Sequence, residues 1–185
     1  MKKLTVLLLV VFCSYFSYSQ SLYKGFEYNM SKKAAYKEFK LHKSDYTNIQ
    51  LGNGVNWRMY KQNLHIYNNL LKGIILVPKG SAFGLSSSSG EVYLNNTFKF
   101  LVNKGYKVWF QPDNWNIPIL FDQHSKYGTV LIHPDKTTSV ELRPKFLPAT
   151  NNYTVMLVIN NYENFISGVD TEFENAKKKQ DNTGF

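Results

Sequence analysis

The first residues to weigh for chemistry are four histidines: His42, His65, His124 and His133. No two of them stand at metal-ligand spacing. Two stand near a carboxylate, in Asp122-Gln-His124 and His133-Pro-Asp135. A carboxylate that orients an imidazole makes a general base. A hairpin that brought Asp122, His124 and His133 together would also make a metal site. Both pairs fall at strand ends, where His and Asp are ordinary turn residues, and that plainer reading carries more weight. A nucleophile to partner the base is missing from the pattern. There is no Gly-x-Ser-x-Gly elbow, and the serine-rich Gly80–Gly90 lacks the spacing and the lysine of a phosphate-binding loop. No metal and no cofactor are expected, and the chain reads more as a non-enzyme than as an enzyme.

A second set of residues suits binding. Trp109, Asn114, Trp115, Asn116 and Tyr127 surround the tract Gln111-Pro-Asp-Asn-Trp-Asn-Ile-Pro118. Two prolines restrict this loop to a defined shape. A tryptophan held there offers a large contact area at low entropic cost. The competing reading folds Trp115 back against the sheet edge. Trp57 alternates with Arg58 and is assigned to the core.

The third set is basic. The formal charge is +9. Arg58 and Arg143 are the only arginines, so the excess is nearly all lysine. Readers of nucleic-acid sequence lean on arginine for bidentate contacts, and no nucleic-acid partner is expected. Lys33, Lys37 and Lys40 share one face of a predicted helix. They are read as a solvated face before a phosphate or lipid-headgroup strip. Weak contact with an anionic membrane surface stays open.

The elements that must position these groups begin after residue 19. Lys2 and Lys3, the apolar run Leu4–Phe12 and the small residues Ser17 and Ser19 form a signal peptide, with cleavage expected before Gln20. A lipid-bearing cysteine normally follows a small residue. Cys13 follows Phe12 and is read as an apolar member of the signal. The mature chain then has 166 of the 185 residues, no cysteine and a charge of +7, since Lys2 and Lys3 leave with the signal. A periplasmic or extracellular location is expected, as is a core that needs no disulfide.

Ser31 is a good N-cap, and Ala34, Ala35, Phe39 and Leu41 are expected to face inward on a helix to about Lys43. Short runs follow at Asn48–Leu51, Val55–Tyr60, Leu64–Tyr67 and Leu71–Val77, split by Gly52-Asn-Gly54 and Asn68-Asn69. They read as antiparallel strands. Residues 81–89 look like a linker. A second helix is predicted next, with Ser88 and Glu91 at capping-box spacing, a stripe of Leu94, Phe98, Leu101 and Val102, and Gly105 as the left-handed cap. Strands are then expected at Tyr106–Gln111, Ile119–Asp122, Thr129–His133, Ser139–Arg143 and Tyr153–Ile159, with Pro144–Asn152 as a connection. The fold class is α+β: two tandem helix-then-antiparallel-sheet units, 20–80 and 90–168, with helices on one sheet face. Residues 169–185 read as a polar tail, loose or a frayed helix.

The lysine pair at the start, the short apolar run and Gln20 resemble exported proteins of Bacteroidetes-type bacteria. The element order, with Asn29-Met-Ser-Lys-Lys-Ala34 at the first helix start, resembles β-lactamase inhibitory proteins and small outer-membrane assembly lipoproteins of the SmpA/OmlA type. Asn29 stands where those families have glycine. The resemblance implies a non-enzymatic module that binds an envelope protein through its sheet face or loops; a glycan partner is the other expectation. The alternative is a small envelope hydrolase using Asp122, His124 or His133.

Overall fold

The computed structural model describes residues 20–80, 84–112, 128–147 and 152–182. The predicted strand Ile119–Asp122 lies outside them. The class is α+β. A hairpin of β1 (Ser21–Tyr23) and β2 (Phe26–Glu27) leads into helix α1 (Lys32–Leu41) and the single turn α2 (Lys43–Tyr46). Strands β3 (Ile49–Gln50) and β4 (Asn56–Arg58), a 3-10 turn (Lys61–Asn63), β5 (Leu64–Tyr67) and β6 (Leu70–Pro78) complete the first half. Helix α3 (Ser87–Asn103) opens the second. Strands β7 (Lys107–Phe110), β8 (Thr129–Ile132), β9 (Thr138–Leu147) and β10 (Asn152–Asn161) follow, then helices α4 (Tyr162–Ser167) and α5 (Thr171–Asn182).

Helix then strands does recur, but the two halves do not keep separate sheets. The strands of both join one eight-stranded sheet in the order β3-β4-β6-β10-β9-β8-β7, with β5 beside β6. The joint is the antiparallel pair β6–β10, which sets Leu76 opposite Leu157 and Ile74 opposite Ile159. These side chains point to one face, where Leu142 and Val140 of β9 extend the rows. Ala35 and Phe39 of α1 and Leu94 and Leu101 of α3 join them in a single buried cluster drawn from both halves.

The opposite face is covered too, which corrects the expectation of helices on one face. Val130 and Ile132 alternate with Leu131 along β8, so they point away from the main core. Phe173 of α5 meets them, with Phe110, in a second buried cluster. The expected polar tail therefore carries a helix, α5, that packs through Phe173 and Ala176. Tyr162 and Phe165 of α4, Val169 between the helices, and Phe173 and Ala176 of α5 supply the apolar side chains of this cover.

Local chemistry explains the helix ends. Ser31 Oγ accepts from the Ala34 backbone N–H and caps α1. The cap of α3 is Ser86, which accepts from Ser89 N–H, two residues before the predicted box. Gly105 has φ +88°. The Gly105 N–H donates to Val102 O and the Tyr106 N–H to Leu101 O, which closes a Schellman end. Within α3 the inward seam is Gly90, Leu94, Thr97 and Leu101. Phe98 is half-buried and Val102 is 40% exposed. Thr97 takes the place expected of Val102 because its hydroxyl accepts the Trp57 indole N–H at 3.0 Å. On α1, Ala34 and Leu41 are exposed rather than inward, since only Ala35 and Phe39 lie on the core side.

Two further boundaries moved. Part of the expected linker is ordered by the sheet: Leu85 exchanges backbone hydrogen bonds with Tyr153. Strand β9 runs through Pro144 to Leu147. Its partner β8 ends opposite Leu142. Among the described residues, β9 has a strand from there on the β10 side only, where a residue without N–H is tolerated.

Candidate functional site

A groove opens between α1 and the turn that follows β4. Its volume is about 720 Å³, within the usual range for ligand pockets. Phe39 and Met59 form the floor, and Met59 is fully buried. Tyr36 and Tyr60 form the walls. Lys37, Lys40, Lys43 and Lys61 stand on the rim, and no carboxylate is among the lining residues.

Each side chain is placed by a local device. The Ser31 cap sets the phase of α1, so Ala35 and Phe39 turn inward while Tyr36, Lys37 and Lys40 line the groove. On the other bank, the Tyr60 N–H donates to Asn63 Oδ1 and fixes the 3-10 turn that carries Lys61. Lys61 Nζ then sits 4.1 Å from the centroid of the Tyr36 ring, and Lys32 Nζ approaches the same ring at 5.7 Å. Arg58 Cζ lies 4.5 Å over the Tyr60 ring. Such contacts favour a cation near the ring face and hold the charges at the mouth. Lys32, Lys33 and Tyr36 also border a second hollow of about 480 Å³ with Ser31 and Asn69. The basic strip thus continues along α1 past the groove.

The acids of α1 and α2 have other partners: Asp45 accepts from the Ser44 hydroxyl and lies 3.7 Å from His42. Glu38 accepts the Tyr46 hydroxyl at 2.7 Å and lies 3.9 Å from His42. Burial first, and then the Glu38 hydrogen bond, holds the Tyr46 hydroxyl well above the ordinary tyrosine range. Burial pushes Tyr23 up to about 12. Glu38 is therefore engaged beneath the helix, and four exposed ammonium groups face solvent around an apolar floor. Such a surface concentrates anions.

Chemistry-bearing residues named from sequence are placed differently. Trp109 is half-buried beneath the C-terminal helices. Its ring meets Phe165 edge-on at 5.2 Å and Phe173 at 5.4 Å, and Lys177 Nζ lies 5.2 Å over it. A register shift between Val108 and Phe110 lets both Trp109 and Phe110 reach that cluster. Asn114, Trp115, Asn116 and Tyr127 lie outside the described residues, as do Asp122 and His124. His133 sits at the β8–β9 turn. Its Nδ1 accepts the Asp135 backbone N–H at 3.3 Å and lies 3.7 Å from the Asp135 carboxylate. Its ring meets Tyr106 edge-on at 5.1 Å. Among the described residues, no three His, Cys, Asp or Glu side chains gather where they would hold a metal ion. Nor is any described helix long and apolar enough to cross a membrane.

Part of the groove was visible in sequence. Lys37 and Lys40 were placed on one helical face, with a solvated face preferred. What sequence reasoning misses is the opposite bank, Met59–Gln62: Met59 and Tyr60 end the expected strand Val55–Tyr60, and Lys61 and Gln62 carry no assignment. The order Met59-Tyr-Lys61 after a core strand carried that signal. Compared with family models, curated proteins and solved structures, the chain matches none.

Proposed function

We propose that the protein is an exported, non-catalytic binding module of the bacterial cell envelope that captures a negatively charged ligand in the groove beside α1. The carrying observation is the ring of Lys37, Lys40, Lys43 and Lys61 around an apolar floor with no carboxylate in the lining. Export rests on the start of the chain: the lysine pair, the short apolar run and the small residues before Gln20. A non-catalytic role is supported by the groove's own chemistry. Lysine and tyrosine hold an anion, but neither a nucleophile with its base nor a pair of carboxylates lines this site. The resemblance in element order to inhibitory and assembly modules agrees with a binding role, and an envelope partner that presents anionic groups would suit the rim.

Charge alone makes a basic chain stick to anions, so the test holds net charge fixed. A groove variant, Lys37→Gln/Lys40→Gln/Lys61→Gln, is compared on a phosphate-bearing resin with a control, Lys99→Gln/Lys107→Gln/Lys178→Gln. All six lysines are exposed. The groove variant is expected to elute at clearly lower salt than the control, since clustered charges dominate binding that salt screens. Equal elution of the two variants contradicts the site.

A further inference from the structure

We infer that the ligand of this groove is a single-chain amphiphile: an alkyl chain laid between the Tyr36 and Tyr60 rings over the edge of Phe39, with its oxyanion head held by the rim lysines. The inference rests on the anion-binding reading and names its ligand class. Three observations favour it over a peptide or a sugar chain. The apolar lining is carbon: the rings of Tyr36 and Tyr60 and the edge of Phe39, with Met59 buried beneath them. Burying each methylene there strengthens binding by up to about fourfold, from a transfer free energy of about 0.8 kcal/mol. The charges stand only at the mouth, where an anionic head stays partly hydrated and avoids the desolvation that a buried ion pair suffers.

The third observation is the supply of hydrogen-bonding groups. Lysines donate and cannot accept. The Thr47 hydroxyl already donates to Ser44 O at 3.0 Å. That leaves the Thr47 oxygen, Gln62 and the tyrosine hydroxyls as the side-chain acceptors in the lining. A peptide brings one N–H donor and one carbonyl per residue, and both need partners once buried. A sugar brings a hydroxyl donor at almost every carbon. An alkyl oxyanion brings acceptors alone, which the four ammonium groups match.

The test uses the mature chain and three probes kept below micelle-forming concentration: dodecyl phosphate, inorganic phosphate and dodecyl maltoside. Equilibrium titration is expected to give one saturable site for dodecyl phosphate. Binding of the headgroup alone, and of the same chain on a neutral head, is expected to be at least tenfold weaker. Shortening the chain from twelve to eight carbons should weaken binding stepwise. Lys37→Gln/Lys61→Gln should lower affinity for dodecyl phosphate at least tenfold and leave the weak binding of dodecyl maltoside unchanged. Vesicles of anionic phospholipid separate the other lipid source: binding to vesicles without binding to monomeric dodecyl phosphate overturns the proposal in favour of a membrane surface. If inorganic phosphate binds as tightly as dodecyl phosphate, the amphiphile class is wrong while the anion site stands. If the groove and control lysine variants also elute together from the phosphate resin, the site itself falls.

Discussion

At the residue scale, the same kind of side chain plays opposite parts in two places. Trp57 and Trp109 both sit on strands. Trp57 is fully buried, and its indole N–H is satisfied by Thr97. The sequence groups Trp109, on the expected strand Tyr106–Gln111, with the binding tract that follows it. In space it is one wall of the Phe110–Phe173 cluster. A hot spot and a packed aromatic differ in what truncation costs. Trp109→Ala is expected to lose roughly 2–4 kcal/mol of stability, near or just below the range for buried aromatics because the ring is half-buried. Phe173→Ala should lose a similar amount, since its ring packs on both Trp109 and Phe110. Denaturant unfolding of the two variants checks this; a loss under about 1 kcal/mol for both would mean that α5 does not pack there. The lysines behave differently. Lys37, Lys40 and Lys61 are exposed, and exposed ammonium groups contribute little to stability. Their effect should appear in binding alone.

At the element scale, most of what was legible followed from period and punctuation. The N-cap at Ser31, the left-handed Gly105 and the turns at Gly52-Asn-Gly54 and Asn68-Asn69 all do what their residue types allow; Asn68 and Asn69 have φ of 49° and 61°. What was not legible depended on partners distant in sequence. Nothing local says that Thr97, and not Val102, faces inward; the Trp57 indole forty residues earlier decides it. Nothing local carries β9 through Pro144, because a proline reads as a stop until the long ladder with β10 is known. The C-terminal helix was legible in principle. Phe173 and Ala176 stand three apart on one helical face, but the acidic and amide residues around them and Lys177-Lys-Lys179 beyond point to polarity instead. The groove shows the same division. Its α1 bank could be read from helical spacing, while the Met59–Gln62 bank is brought up by tertiary packing.

At the scale of the whole molecule, the joint between β6 and β10 governs how the chain behaves. The tandem-unit expectation placed a boundary near residues 81–89. The sheet crosses it, and one buried cluster draws on both sides of it. Residues that share a core and a ladder unfold together. Thermal or denaturant unfolding of the mature chain is therefore expected to show one transition, coincident by far-ultraviolet dichroism and by tryptophan fluorescence. Two separated transitions would restore two independent units. The shared sheet also bears on function. It anchors the floor of the groove, because Met59 follows β4 and its backbone N–H donates to Tyr46 O at 2.7 Å. Both banks are thereby tied to the core. Such a site is largely preformed and loses little entropy when a ligand arrives.

The central claim is that binding happens between α1 and the Met59–Gln62 turn. The most direct measurement is backbone amide chemical-shift mapping of the mature chain titrated with dodecyl phosphate at moderate salt. The account predicts saturable shifts clustered on Tyr36–Thr47 and Met59–Gln62, and their loss in Lys37→Gln/Lys40→Gln/Lys61→Gln while the rest of the spectrum is kept. Shifts scattered over the lysines of the whole surface, or centred on residues 112–128, would contradict it.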